Sequence, residues 1–369
     1  MEKNRPYKII ISGGGTGGHI FPAIAIANAI REIHPDTEIL FVGAEGKMEM
    51  EKVPQAGYKI IGLPVAGFHR KLTLKNLLFP FKLLRSLNKA NKIVKEFNPD
   101  VAVGVGGYAS GPLLYAAVGK KIPTLIQEQN SYAGVTNKIL SKKAKTICVA
   151  YQEMDRFFPK EKIIYTGNPV RKDILEYRFK KQEGLLFFGL KENINTLFIM
   201  GGSLGARTIN KSVTVNIDML IESGVQVLWQ TGKMYYKECK ALVERKNADK
   251  IKVVEFVKDM NLAYSVADIV ISRAGALSIS ELCLVGKPVI LVPSPNVAED
   301  HQTKNALALV EANAAQLIND QQAEKVLILE VLKLLHNKEK QEIFAENIMK
   351  LGKPNAAREI SEEVFKLIK

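Results

Sequence analysis

The sequence predicts an α/β protein made of two doubly wound, Rossmann-like domains that face a cleft. Three observations predict it. Short apolar, β-branched runs alternate with helical patterns along the whole chain. Those runs are apolar throughout rather than at every second residue, as strands covered on both faces must be. One unit of strand, glycine turn and helix occurs twice, as "IIISGGGTGGH" and "LFIMGGSLGAR". At 369 residues the chain is also longer than one core usually holds, which fits two domains.

In order along the chain, the first half offers strands at "YKIIIS", "EILFVGA", "KIIGLP", "VAVGVGG", "PTLIQEQ", "TICVAY" and "IIYTGNP". The second half offers "TLFIMGG", "VQVLWQTG", "KVVEFV", "DIVISRAG", "PVILVPSP" and "AAQLIND". The stretch "GNPVR", residues 167–171, contains an Asn-Pro pair that breaks regular structure. It divides the chain into domains 1–168 and 169–352. The final "KPNAAREISEEVFKLIK" restarts after Gly352 and Pro354, and predicts a helix within 353–369 that crosses back to the first domain. Two such sheets facing each other place both glycine turns at the C-terminal strand edges, where folds of this kind bind ligands.

Net charge is +14, which suggests a negatively charged partner: nucleic acid, an anionic membrane or a phosphorylated substrate. Cys148, Cys239 and Cys283 are far apart and form no C-x-x-C; zinc and redox motifs have no support, and a reducing cytosol fits. The N-terminus runs straight into a strand without a signal-peptide layout. No apolar run approaches the ~20 residues that span a bilayer.

Both glycine turns let backbone N–H groups approach an anion at a helix N-terminus, which carries about half a positive charge. The plainer alternative is a tight turn without a ligand. Gly13, Gly15 and Gly18 also fit G-x-G-x-x-G, and Glu45 could serve as the acid of a nicotinamide enzyme. A run of glycines matches that signature by accident, however, and neither the second turn nor His19 is explained by it. His19 sits in the first turn of the helix, where imidazolium is disfavoured. A neutral imidazole there can accept a proton; a hydrogen-bonded structural histidine is the alternative.

Further candidates lie at other strand ends. Glu128, Gln129 and Asn130 form a polar cluster suited to sugar hydroxyls, or to capping the next helix. "SRAGALSISE" leads into a helix whose Ala276, Leu277, Ser278, Ile279, Ser280 and Glu281 offer N–H donors and a carboxylate for ribose hydroxyls. The same glutamate could be a capping or surface residue. Asp300, His301 and Gln302 make another carbohydrate-friendly set. Arg171 and Ser203 are both placed to hold a phosphate.

Residues 52–95 contain no acidic residue. Within 68–95, Leu74, Leu77, Leu78, Phe79, Phe81, Leu83 and Leu84 are interleaved with Lys71, Lys75, Lys82 and Arg85. Lysine stems snorkel while apolar residues enter an interface, so the segment suits peripheral binding to an anionic membrane. A helix packed on the core accounts for part of the apolar set but not for the missing acids. Nucleic acid is the rival partner; only Phe68, Phe79, Phe81 and His69 could stack, and no RNA-binding motif accompanies them.

Taken together, "GGTGGH", "GGYASGP", "EQN", "GNPVR", "GGSLGA", "RAGALSISE" and "DHQTKNA" occur in the order and spacing of the MurG family. The resemblance spans essentially the whole chain. It implies a two-domain GT-B glycosyltransferase without a catalytic metal ion or cofactor. The implied donor is UDP-N-acetylglucosamine, held mainly by the C-terminal domain. The implied acceptor is lipid I, undecaprenyl-pyrophosphoryl-N-acetylmuramyl-pentapeptide, held mainly by the N-terminal domain. The product is lipid II with an inverted β-1,4 linkage, made for peptidoglycan at the cytoplasmic face of the bacterial inner membrane. Such a lipid substrate demands the peripheral membrane contact proposed for 68–95. Carried over residue by residue, the donor contacts are Thr16, Gly17, Gly18, Asn130, Arg171, Ser203, Val257, residues 276–281 and Gln302. Thr303 stands where a second glutamine follows in some members. Inversion by direct displacement needs a base for the acceptor hydroxyl and donors for the departing diphosphate. His19 is the first candidate for the base and Glu128 the second; Ser203, Arg171 and the second glycine turn are the candidates for the diphosphate.

Overall fold

A computed structural model of the chain describes residues 5–65, 79–202, 204–297 and 300–368. The chain divides into two compact units. One comprises the residues up to Arg171 together with those from Pro354 onward; the other is Lys172–Lys353.

The first unit is built on a parallel sheet of seven described strands: β1 (Lys8–Ser12), β2 (Glu38–Ala44), β3 (Lys59–Leu63), β4 (Val101–Gly104), β5 (Thr124–Glu128), β6 (Thr146–Val149) and β7 (Ile163–Tyr165). Their order is β3-β2-β1-β4-β5-β6-β7. The second unit repeats the plan with β8 (Thr196–Met200), β9 (Gln226–Gln230), β10 (Ile251–Val254), β11 (Ile269–Ser272), β12 (Val289–Leu291) and β13 (Gln316–Leu317), ordered β10-β9-β8-β11-β12-β13. In both units the strand order reverses beside the first strand, between β1 and β4 and between β8 and β11. Ligands of doubly wound folds bind outside such switch points.

The apolar runs become strands because both of their faces are covered. Ile9 and Ile11 enter one core cluster and Ile10 the other, and all three are fully buried. Leu197 and Ile199 likewise face away from Phe198 and Met200. This is the period of two of a pleated strand. Helices at Gly17–Ile33 and Ala356–Lys366 cover one face of the first sheet; Ile360 and Val364 pack among Ile20, Ile26 and Ile30. Tyr7, His34 and Phe365 close the end of this contact edge to face.

Phe79–Phe97 is a helix that follows residues 66–78, which lie outside the described ones. Its C-terminal half packs through Ala90, Ile93 and Val94. Its start does not: Phe81 is 72% and Leu84 59% exposed, beside exposed Lys82 and Arg85. Among the described residues no helix is long and apolar enough to cross a membrane.

Candidate functional site

In the first unit, the turn after β1 runs into the helix Gly17–Ile33, whose N-cap, Thr16, is extended and makes no side-chain cap. Thr16 and Gly18 are exposed and Gly17 and His19 half-buried. His19 Nδ1 lies 3.1 Å from the carbonyl oxygen of Gly14 and 3.2 Å from Thr16 Oγ1. A carbonyl only accepts, so Nδ1 carries the proton and, in the neutral ring, Nε2 keeps its lone pair. The turn after β4 lies against this histidine. A Cβ on Gly107 would overlap the Gly14 carbonyl, and one on Gly106 would strike the imidazole; glycine at both positions brings the two turns together.

Glu128 and Asn130 follow β5, but their roles differ. Glu128 is buried, and both of its oxygens are occupied. Oε2 accepts from Asn137 Nδ2 at 2.8 Å and from the Gly134 N–H at 3.1 Å; Oε1 accepts from the Asn130 N–H at 3.1 Å and Asn130 Nδ2 at 3.4 Å. Burial pushes its carboxyl above the usual range, against the pull of the Asn137, Asn130 and Gly134 donors. The side chain braces its own loop, and no lone pair is left for an incoming hydroxyl. Asn130 is half-buried at the rim.

Gln129 and Gln127 are also buried. Gln129 Nε2 donates to the Val105 carbonyl at 2.6 Å and to Gln127 Oε1; Gln127 donates to Asn168 Oδ1 at 2.9 Å, and Asn168 to the Gln129 carbonyl at 3.0 Å. The "GNPVR" stretch is thus anchored in the first unit through Asn168, and the division falls after Arg171, which is half-buried. Glu45, the acid of the dinucleotide alternative, forms a surface pair with Lys89 at 2.8 Å.

In the second unit, β8 and β11 are neighbours, so the turns that follow them are side by side. Ser203 lies outside the described residues. The helix Ala276–Val285 begins after Gly275, an extended N-cap. The N–H groups of Ala276, Leu277 and Ser278 have no partner within the helix. Those further in contribute differently. Ile279 is buried in the core and its N–H closes on the Gly275 carbonyl at 2.9 Å, Ser280 Oγ donates to the Ala276 carbonyl at 3.0 Å, and Glu281 accepts from the Tyr264 hydroxyl at 3.1 Å. Only the first three therefore offer N–H groups at the helix mouth.

Gln302, in the helix His301–Glu311, accepts the Ser294 N–H at 2.8 Å, which turns its two amide protons elsewhere. It lines a cavity of about 650 Å³ with Gly205, Arg207, Tyr235, Arg273 and Ser294. Thr303 does not reach outward; its hydroxyl donates to Asp300 at 2.7 Å. Val257 follows β10 and lines a separate cavity of about 780 Å³, its N–H donating to Gln230 Oε1 at 2.9 Å. Among the described residues no group of three or more His, Cys, Asp or Glu side chains is placed to hold a metal ion. Cys148, Cys239 and Cys283 are buried, and burial pushes the last two thiols up to about 12.

Two contributors had no role assigned from the sequence, although Gly106 falls within the "GGYASGP" motif. Glu49, inside "KMEMEK", reads as one charge on a solvent-facing helix, yet it is fully buried beneath the first glycine turn. Gly106 reads as loop flexibility, yet it shapes the space for His19.

Residues 9–149 match the glycosyltransferase family 28 N-terminal domain, and residues 196–363 the family 28 C-terminal domain. The chain is 59% identical over 368 residues to a Cytophaga hutchinsonii protein, covering 100% of this chain and 99% of that one. A Flavobacterium psychrophilum protein is 53% identical, with 98% of both chains covered. Both relatives are named UDP-N-acetylglucosamine--N-acetylmuramyl-(pentapeptide) pyrophosphoryl-undecaprenol N-acetylglucosamine transferase. Among solved structures, MurG of Acinetobacter baumannii superposes with a TM-score of 0.79 at 30% identity, covering 98% of this chain and 100% of that one. The UDP-GlcNAc 2-epimerase of Neisseria meningitidis shares the fold at 16% identity and a TM-score of 0.70, over 98% of this chain and 100% of that one. With both halves of the fold matched and full-length relatives this close, the chain belongs to glycosyltransferase family 28 and is a GT-B enzyme of the MurG type.

Proposed function

We propose that the chain transfers N-acetylglucosamine from UDP-N-acetylglucosamine to the C4 hydroxyl of the N-acetylmuramyl residue of lipid I, releasing UDP and giving lipid II for peptidoglycan. The observation that carries this is full-length identity of 59% to a transferase named for that donor and acceptor. The hydrogen bond from Nδ1 of His19 to the Gly14 carbonyl supports His19 as the base: its Nε2 takes the acceptor proton as the oxygen attacks the anomeric carbon. The bond from that carbon to the diphosphate breaks, and UDP leaves with the electron pair. Attack from the face opposite the leaving group inverts the centre. Charge gathering on the diphosphate is met by the N–H groups of Ala276, Leu277 and Ser278, with Arg171 and Ser203 as further donors. Donors positioned in this way are worth ~3–4 kcal/mol each in an active site. His19 is preferred to Glu128, whose oxygens are engaged by its own loop.

The donor contacts are assigned to the second unit, with Glu281 on the ribose, Val257 on the base and the Gln302 amide on the sugar. Thr16, Gly17, Gly18 and Asn130 contribute from the first unit, which takes lipid I. The exposed Phe81 and Leu84, flanked by Lys82 and Arg85, suit peripheral attachment to the anionic cytoplasmic face of the inner membrane rather than nucleic acid. The test is incubation with UDP-N-acetylglucosamine and a lipid I analogue. The product must gain one N-acetylhexosamine by mass, in a β-1,4 linkage by NMR. Release of UDP without that product would sink the assignment.

A further inference from the structure

We propose that Glu49 is a positioning residue that acts on His19 through one peptide group, so that carboxylate, peptide and imidazole form a single hydrogen-bonded relay. The proposal deepens the assignment of His19 as base and rests on it. Glu49 Oε2 accepts the N–H of Gly15 at 2.9 Å, while the carbonyl of Gly14 accepts Nδ1–H of His19 at 3.1 Å. These are the two polar ends of the same peptide plane. Glu49 Oε1 accepts the N–H of Ala44 at 2.9 Å, which ties the carboxylate to the end of β2. The side chain is 0% exposed. Space for it is made by glycines: a Cβ on Gly43 would lie 2.5 Å from Glu49 Cγ, and one on Gly14 would overlap the carboxylate itself.

A buried carboxylate that accepts a peptide N–H draws electron density toward the carbonyl oxygen of that peptide, and hydrogen bonds in series strengthen one another. The Gly14 carbonyl becomes a better acceptor for Nδ1–H. That fixes the tautomer, holds the ring plane, and stabilises the imidazolium formed when Nε2 takes the acceptor proton. In a serine-protease triad the carboxylate touches the ring directly; here a peptide group stands between them. A mere brace of the glycine turn would use the same two N–H bonds but would not need the histidine.

The test is a double-mutant cycle on the full-length enzyme, with Glu49→Gln, His19→Ala and both together, measured as kcat and KM with UDP-N-acetylglucosamine and a lipid I analogue. Glutamine keeps one acceptor and turns an amide N–H₂ toward the other backbone donor. In an otherwise wild-type enzyme, Glu49→Gln is expected to lower kcat ~10–100-fold, as loss of an orienting partner does, with KM for the donor within about twofold. In the His19→Ala enzyme it is expected to change nothing further, since residues acting as one unit are not additive. An equal loss in both backgrounds, or a rise in KM with kcat intact, makes Glu49 a brace and overturns the relay while leaving His19 as base. Wild-type kcat in His19→Ala overturns the base itself and the relay with it. Nitrogen-15 NMR of the unmutated enzyme adds a readout that needs no variant. The relay requires Nδ1 protonated and Nε2 unprotonated in the neutral ring, and the opposite tautomer overturns it.

Discussion

Gly106 stands directly against His19: a Cβ placed on it would lie 2.6 Å from Cδ2 and 2.9 Å from Nε2 of the imidazole. Its φ of +92° is in addition one that residues with a side chain rarely adopt. Gly106→Ala therefore moves the base, and a displacement of about 1 Å costs about 100-fold in rate. Steady-state kinetics should show that fall in kcat, while UDP affinity by calorimetry stays within about twofold. Unchanged kcat would mean that Nε2 is not the reacting atom.

Gln302 tests the donor site. Its oxygen is held by the Ser294 N–H, so its contribution to a sugar comes from the amide protons. Gln302→Glu keeps the acceptor and loses the donors, and should raise KM for UDP-N-acetylglucosamine about tenfold, the equivalent of about 1.4 kcal/mol. Gln302→Ala should do no worse. A glutamate variant with normal KM would remove Gln302 from the sugar site.

Phe81 and Leu84 test the membrane contact. Full burial of either side chain is worth about 1.5–3 kcal/mol, so Phe81→Ser with Leu84→Ser should reduce flotation with anionic vesicles by more than tenfold. Turnover of a water-soluble acceptor analogue should be unaffected. Lys82→Glu with Arg85→Glu should weaken binding most at low salt, where each cation contributes about 1 kcal/mol.

Glu128 gives stability a pH dependence whose sign is set by burial. Its carboxyl is raised in the folded state, above an unfolded value of about 4.3, so folding favours the protonated form. The resulting stabilisation is fully present below about pH 4.3 and is lost as pH rises through the raised value. Glu128→Gln cannot ionise. Relative to the unmutated chain it should become more stable step by step as pH rises above about 4.3, as read from urea midpoints. A constant difference across that range would contradict the assignment.

Ile360 tests the returning helix. It is fully buried among Ile20, Ile26 and Ile30, and Ile360→Ala should cost about 2–5 kcal/mol, read from the urea midpoint of the first unit's transition.

Twelve of the thirteen described strands fall within runs legible in the sequence, and β10 starts one residue ahead of its run, at Ile251; a strand buried on both faces must be apolar throughout, as Ile9, Ile10 and Ile11 are. The glycine turns were legible for a related reason: close approach of backbone to backbone leaves glycine as the residue that fits. Polar side chains were harder. Glu128 and Asn130 are two residues apart, yet one is sealed and the other at a rim. That difference comes from where Gly134 and Asn137 fold back, which is tertiary. Glu49 was invisible because its partners are backbone N–H groups, and a backbone donor has no letter in a sequence.

The first unit is not contiguous, since its covering helix Ala356–Lys366 comes from the far side of Lys172–Lys353. On the ribosome, Ile20, Ile26 and Ile30 emerge long before Ile360 and Val364 can reach them. At about 5–20 residues per second, the intervening stretch takes on the order of ten seconds or more to make, and through that interval the nascent domain carries an oily face with no cover of its own. Chaperone demand should therefore concentrate on this face during synthesis, and moving the last helix to the front of the gene should relieve it.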